Sequence, residues 1–146
     1  MSQRLMKDIR ELHAAVEDGE LDEVEITQDG DQWELAIPGQ GAYAAGVFRV
    51  GFAAQGFPSE APVLNFRTRI YHPQVNADGT YCSKLLNPAN WNKFTTLRQL
   101  VEEIMDLFTQ SDFPNPSNAE VGAAFKADRQ KYLATCKEWV QLYAKK

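Results

Sequence analysis

The feature that most constrains the fold is the hydrophobic period, which changes from helical spacing to strand-like alternation and later returns to helical spacing. Residues 2–18 carry an apolar stripe at helical spacing that ends at an Asp-Gly stop signal, which predicts a first helix. Alternating segments then follow across short turns, around 24–26 and 33–38 and at Gly46–Ala53 and Val63–Thr68. Strands joined by such turns predict a four-stranded antiparallel meander.

Helical spacing returns in the last third of the chain. Thr96 and Gln99 have the spacing of a capping box ahead of an apolar stripe, and Ser117 and Glu120 repeat it after a Pro-rich interruption. Two further helical stretches complete the chain. This order predicts an α+β fold in which an N-terminal helix, the meander, a long loop and C-terminal helices form a single domain over residues 1–146.

Composition narrows the possible functions. With 15 Lys and Arg against 20 Asp and Glu, the net charge of −5 argues against nucleic acid as the main partner. The longest uncharged stretch is interrupted by Pro and Gly, so no membrane span is predicted. The charged N-terminus lacks the apolar core of a secretory signal, so we expect a cytoplasmic protein. The chain is long enough to fold without a partner, so we expect a monomer.

The charge is unevenly distributed along the chain. Residues 126–146 contain six Lys or Arg and two Asp or Glu, whereas residues 19–31 contain acids and no base. The simplest interpretation is a solvated helix face and an acidic hairpin.

A long aperiodic segment, residues 69–95, interrupts the regular pattern and indicates a functional loop. Within it, Cys82 follows an Asp-Gly turn and is either an accessible nucleophile or a buried, incidental thiol. His72 is either a general base, as in cysteine proteases, or a packed histidine whose ring nitrogens brace the loop. Pro73 favours the packed alternative because it holds the preceding residue extended. Two cysteines and two histidines without metal-site spacing make a zinc site improbable.

Several motifs occur in a fixed order along nearly the whole chain: RLMKDIREL from Arg4, GVFRV from Gly46, FP at Phe57, YHP from Tyr71, Cys82, Trp91 and PNP from Pro114. In this respect the sequence resembles the ubiquitin-conjugating enzymes, which carry ubiquitin or a ubiquitin-like protein as a thioester. The resemblance implies that Cys82 accepts the modifier from an activating enzyme and passes it to a substrate lysine or to a ligase. It also implies that neither a metal nor a small cofactor is needed.

The sequence departs from the family pattern near the expected catalytic centre. Gln74 replaces the usual Asn, and it either stabilises the oxyanion during transfer or braces the loop. Asn118 occupies the place of an acidic residue that often flanks the incoming lysine, and it either binds that amine or only caps a helix. Ser83-Lys84 replaces Leu-Asp after the cysteine.

The resemblance also implies two contact surfaces. Arg4 and Lys7 lie in a helix that resembles the surface used by activating enzymes, although the solubility of an exposed helix explains the same charges. Phe57, Trp91 and Phe94 lie on the ligase-facing surface, where Ser59 replaces an aromatic residue that many members have, so we expect a typical RING-type ligase to bind weakly. We expect an active conjugating enzyme. The main alternative is an adaptor of the same fold that binds ubiquitin or a ligase without catalysis, and a thiol protease is a remote third.

Overall fold

The computed structural model describes residues 3–53, 56–57, 59–81, 89–110, 112–113 and 116–145. Within these residues the elements are α1 Gln3–Glu17, β1 Glu25–Asp29, β2 Gln32–Pro38, β3 Val47–Ala53, β4 Asn65–Phe66, α2 Leu97–Leu107, α3 Ala119–Ala127 and α4 Arg129–Trp139. A 3₁₀ turn at Gly41–Tyr43 lies between β2 and β3, and a π-helical turn at Val140–Ala144 follows α4. This order confirms the predicted α+β arrangement.

The four strands form one antiparallel sheet in the order β1-β2-β3-β4, which confirms the meander. Leu35 of β2 lies opposite Ile26 of β1 and Val50 of β3. In β2, Trp33, Leu35 and Ile37 are buried while their neighbours are more exposed. Because successive strand residues point to opposite faces, this alternation identifies the face of the sheet that packs on the core.

The last strand is shorter than predicted. β4 spans Asn65–Phe66, whereas the alternation predicted Val63–Thr68. Val63 does not join the sheet and is 78% exposed. Beyond the strand, the backbone N–H of Arg49 donates to the side-chain hydroxyl of Thr68 at 2.9 Å. The hydroxyl of Thr68 therefore accepts the hydrogen bond from Arg49 that a main-chain carbonyl would accept if β4 paired further along β3.

The hydrophobic core lies between one face of the sheet and the apolar faces of the helices. α1 contributes Leu5, Ile9 and Leu12, and α2 contributes a buried stripe that runs from Leu97 to Leu107. α2 thus buries the stripe that its sequence period predicted, and α1 buries most of its own. No helix in the described part of the chain is both long and apolar enough to cross a membrane.

One of the two predicted capping boxes is confirmed and the other is wrong. The Thr96 side chain accepts from the Gln99 backbone N–H at 3.2 Å, and the Gln99 side chain accepts from the Thr96 N–H at 2.8 Å. At the start of α3 the capping residue is Asn118 rather than Ser117. The helix begins one residue later than predicted because Asn118, a strong capping residue, is also held by hydrogen bonds to the carbonyls of Pro73 and Val75.

Candidate active site

The segment that leads to Cys82 is braced by a buried histidine. His72 is fully buried, with Nε2 2.8 Å from the carbonyl oxygen of Leu107 and Nδ1 2.9 Å from the backbone nitrogen of Gln74. The first contact requires Nε2 to donate and the second requires Nδ1 to accept, so the ring is neutral. Burial lowers the pKa of His72 to about 4, which keeps it neutral.

This geometry decides between the two interpretations of His72. Both ring nitrogens bond to the backbone, as the packed alternative predicted. A general base of the cysteine-protease kind needs a ring nitrogen directed at the thiol. Because neither ring nitrogen is available to the thiol, the arrangement of His72 contradicts the protease interpretation.

Asn118 ties the start of α3 to the same segment. Its backbone N–H donates to the carbonyl of Pro73 at 2.9 Å, and its side-chain Nδ2 donates to the carbonyl of Val75 at 3.1 Å. Its Oδ1 accepts from the Val121 N–H at 3.2 Å, as an N-cap does. The helix-cap alternative describes the observed geometry, and contact with an acceptor lysine stays a prediction.

Gln74 lies between the two residues that Asn118 holds. Its backbone N–H donates to His72, and its side chain is half-buried. Anchors on both sides thus fix the position of its Cα, which is what an oxyanion donor needs. Whether the Gln74 amide acts in transfer stays a prediction.

The predicted Asp-Gly turn is confirmed and is rigidly built. The Asp78 carboxylate accepts from the Thr80 hydroxyl at 2.7 Å and from the Thr80 N–H at 3.0 Å, and these bonds lower the pKa of Asp78. Gly79 has a φ of +90°, and an added Cβ there would collide with the Phe66 carbonyl oxygen. Glycine is therefore required by both conformation and space.

The residue before Cys82 is firmly packed. Tyr81 is buried, pairs with Val75 in an antiparallel bridge and packs its ring edge-on against Phe66, with centroids 6.1 Å apart. Cys82, Ser83 and Lys84 lie outside the described residues. The described chain thus fixes the approach to position 82.

A cleft of about 270 Å³, lined by both polar and apolar side chains, opens beside the turn. Asp78 lines it on the side of the loop, Asn118 and Glu120 line it at the start of α3, and Arg69 and Trp139 form part of the remaining wall. A cleft with carboxylates, an amide and a guanidinium can hold an extended peptide end or an amine.

A second group of predicted residues meets where α1 approaches the loop before α2. Arg4 donates to Asp8 at 3.1 Å and to the carbonyls of Lys93 and Thr95, both at 2.7 Å. The other Asp8 oxygen accepts from the Leu97 N–H at 3.1 Å. The guanidinium thus joins α1 to residues 93–95 through two directed hydrogen bonds, and a third holds it to Asp8 within α1.

This junction brings together four of the predicted contact residues. The Arg4 guanidinium lies 5.9 Å from the ring centre of Phe57, and that ring lies 6.2 Å from the ring centre of Trp91. Phe94 is 71% exposed, whereas Phe57 is buried and supports the surface from below. We call Arg4, Phe57, Trp91 and Phe94 the corner surface. Lys7 lies exposed one turn further along α1, 3.9 Å from a glutamate.

A buried polar cluster that the sequence did not indicate holds the other end of the braced segment. The Tyr43 hydroxyl donates to the Tyr71 carbonyl at 2.6 Å and lies 3.2 Å from the Tyr132 hydroxyl. The Cys136 thiol lies 3.3 Å from the Tyr43 hydroxyl and 3.4 Å from the Tyr71 carbonyl oxygen. In the sequence, the only indication of this cluster was that Tyr132 and Cys136 lie four residues apart on an apolar helix face. Burial raises the pKa of Cys136.

Comparison with known proteins assigns the family. The sequence model of the ubiquitin-conjugating enzymes matches residues 4–140. The chain therefore belongs to the ubiquitin-conjugating enzyme family. It is 28% identical over 151 residues to the ubiquitin-conjugating enzyme E2 ubc-18 of Caenorhabditis elegans, with 99% of this chain and 96% of the relative covered. The fold is similar to that of a ubiquitin-conjugating enzyme E2 domain from Toxoplasma gondii, with a TM-score of 0.84, 23% identity and 97% of each chain covered.

Proposed function

We propose that this protein accepts ubiquitin or a ubiquitin-like protein as a thioester on Cys82 and transfers it to a lysine amine or a ligase. The observation that carries the proposal is the segment from His72 to Tyr81, which is anchored along its length and ends directly before the cysteine. Family membership supports the same chemistry. The other cysteine in the chain, Cys136, is fully buried and has a raised pKa, which makes it a poor nucleophile.

Two exchange steps follow from this proposal. The Cys82 thiolate attacks the carbonyl carbon of the modifier's thioester on the activating enzyme, a new C–S bond forms, and the activating enzyme's thiolate leaves. A substrate amine then attacks the carbonyl carbon of the thioester on Cys82, a C–N bond forms, and the C–S bond breaks to release the Cys82 thiolate, which takes up the proton lost by the amine. In this proposal the Gln74 amide donates a hydrogen bond to the oxyanion of the second step.

The corner surface and the exposed face of α1 supply the proposed contacts with the pathway enzymes. Arg4 and Lys7 would contact the activating enzyme, and Phe57, Trp91 and Phe94 would support a RING-type ligase. The exposed Phe94 ring has the area that interface anchors need. The proposed setting is the cytoplasm, with the protein acting as a monomer.

A gel assay tests the proposal directly. The protein is incubated with activating enzyme, ATP and ubiquitin, or with a ubiquitin-like protein, and separated without reductant. We expect an adduct that reductant removes, that Cys82→Ala abolishes and that Cys136→Ser retains. The Ser variant is the matched control because its hydroxyl can replace the thiol in the buried cluster. No adduct with any modifier, or an adduct that survives Cys82→Ala, would overturn the proposal.

One observation favours the adaptor as a second candidate. Both polar side-chain atoms of Asn118 are already bonded to the protein itself, which leaves only the second lone pair of Oδ1 to accept from an amine. An adaptor would bind ubiquitin or a ligase and form no adduct. The gel assay therefore separates the two candidates.

A further inference from the structure

A lysine and an aromatic ring lie together at the exposed end of the loop before α2. Residues 92–94 are exposed, and the Phe94 side chain is 71% exposed. The Nζ atom of Lys93 lies 5.5 Å from the centre of the Phe94 ring. We call Lys93 and Phe94 the loop tip. An ammonium group held against a large ring presents a charge and an apolar surface side by side.

Hydrogen bonds fix the backbone of the loop tip. The Asn92 Oδ1 accepts from the Phe94 N–H at 2.8 Å, and the Asn92 carbonyl accepts from the Thr95 N–H at 2.9 Å. On the other side, the Arg4 guanidinium donates to the carbonyls of Lys93 and Thr95. Because this backbone is already ordered, a partner that binds the loop tip loses little affinity to ordering it.

The charge of Lys93 is not compensated by the described residues. None of their carboxylates lies within ion-pair distance of its Nζ atom, whose described contact is the Phe94 ring. The first acid of each flanking helix is already engaged. Asp8 of α1 is bonded to Arg4, and Glu102 of α2 lies 3.3 Å from a guanidinium.

The sequence around the loop tip cannot supply the missing carboxylate. Residues 79–101 contain Lys84, Lys93 and Arg98 and no Asp or Glu, although the whole chain has a net charge of −5. A carboxylate that meets Lys93 can instead come from a partner, since opposite charges across an interface select the right partner.

We infer that the loop tip selects ligases that offer an apolar pocket for the Phe94 ring with an Asp or Glu at the edge of that pocket to meet Lys93. The inference rests on the ligase contact of the proposed function. A large ring that becomes buried at an interface contributes much of the affinity, whereas an exposed ion pair contributes mainly specificity. Phe94 therefore supplies affinity and Lys93 supplies the choice among ligases.

A folded domain fits the loop tip better than a lipid surface does. The loop tip offers one ring and one lysine, whereas stable attachment to a membrane needs at least two strong contributions. Anionic lipids would also repel a chain whose net charge is −5. Continuity with the corner surface, which already includes Phe94, favours the ligase.

A phage-displayed RING domain tests the inference without any thioester step. The surface positions that line its groove are randomised, and the library is selected in parallel on the wild-type protein and on Lys93→Glu. We expect both selections to keep apolar residues within the groove. At the groove edge we expect Asp or Glu in clones selected on the wild type, and Lys or Arg in clones selected on Lys93→Glu.

Lys131→Glu is the matched control, because it makes the same change of charge at an exposed position of α4. Selection on this variant should give the same clones as selection on the wild type. Clones with the same edge charges from wild type and Lys93→Glu, or no enriched clones on the wild type, would overturn the inference.

Dissociation constants of one acid-bearing clone separate the two side chains. Phe94→Ala should weaken binding about thirtyfold, Phe94→Leu should weaken it less, and Lys93→Glu should weaken it about tenfold. Added salt should reduce the effect of Lys93→Glu and not that of Phe94→Ala. Since both residues are exposed, all three variants should keep the wild-type unfolding temperature. Unchanged binding to Phe94→Ala would overturn the inference.

Two other occupants have their own results. Binding to vesicles of phosphatidylserine and phosphatidylcholine that Phe94→Ala abolishes would overturn the inference in favour of lipid, and self-association that Phe94→Ala abolishes would overturn it in favour of a second copy. The inference and the thioester chemistry fail separately. Charge-selective binding without an adduct in the gel assay would support the inference and contradict the thioester, and an adduct without charge-selective binding would overturn only the inference.

Discussion

At the scale of single residues, His72 makes stability depend on pH. Its pKa of about 4 in the folded protein lies below the ordinary value of 6.5. As the pH falls, the imidazole is therefore protonated in the unfolded chain before it is protonated in the folded protein. The contribution of the neutral His72 imidazole to the free energy of unfolding is fully present above pH 6.5 and is lost as the pH falls towards about 4. We expect a loss of about 3 kcal/mol in the free energy of unfolding over that window.

Urea unfolding across that pH window measures this contribution against the other titrating groups. The difference between wild type and His72→Gln isolates the imidazole, and His13→Gln, which changes an exposed histidine of α1, is the matched control. His72→Gln should show a shallower fall than wild type and His13→Gln should not. A slope that His72→Gln leaves unchanged would contradict a buried, neutral His72.

Gln74 gives a second prediction at this scale, which concerns transfer rather than loading. If its amide stabilises the oxyanion, Gln74→Ala should load normally and discharge to free lysine about 10²-fold more slowly. Gln74→Asn keeps an amide at this position and should retain more of the discharge rate than Gln74→Ala. Single-turnover discharge from the preloaded protein measures both. Equal slowing of loading and discharge would instead indicate a role in bracing the loop.

At the scale of elements, Asn118 joins a helix to a loop. Asn118→Ala removes the cap and the bond to Val75, and we expect a loss of about 2 kcal/mol in the free energy of unfolding. Asn118→Ser keeps a capping oxygen and loses only the Nδ2 donor, so it should lose less. Chemical denaturation of both variants measures this order. A smaller loss in the Ala variant than in the Ser variant would refute the assigned hydrogen bonds.

The junction between α1 and residues 93–95 gives a further prediction about elements. Arg4→Lys cannot reproduce three directed bonds, because an ammonium lacks the planar fork of a guanidinium. We expect faster amide hydrogen exchange at Thr95 to Leu97, with Lys7→Ala, an exposed position on the same helix, as the control. Unchanged exchange in Arg4→Lys would show that the corner surface does not depend on this side chain.

Local patterns predicted the elements better than they predicted the contacts between elements. The alternation around Leu35 and the Thr96 capping box depend on near neighbours, and both predictions are confirmed. β4 and the α3 cap differed from prediction because Thr68 and Asn118 bond to residues distant in sequence. The spacing of apolar residues along the sequence gives no information about such long-range hydrogen bonds.

At the scale of the whole molecule, the order of hydrophobic periods predicted the fold and the order of motifs predicted the family. The parts of the site that could be predicted were those near motifs, such as the turn at Asp78-Gly79. The buried cluster of Tyr43, Tyr132 and Cys136 could not be predicted, since it joins a turn to a helix far along the chain.

The measurement that tests the central claim most directly is the intact mass of the protein after reaction with activating enzyme, ATP and ubiquitin or a ubiquitin-like protein. The account predicts a gain equal to the mass of the modifier less one water, with the bond mapped to the Cys82 peptide and released by a thiol. Cys136→Ser should show the same gain and Cys82→Ala should show none. A modifier attached elsewhere, or no gain with any modifier, would contradict the account.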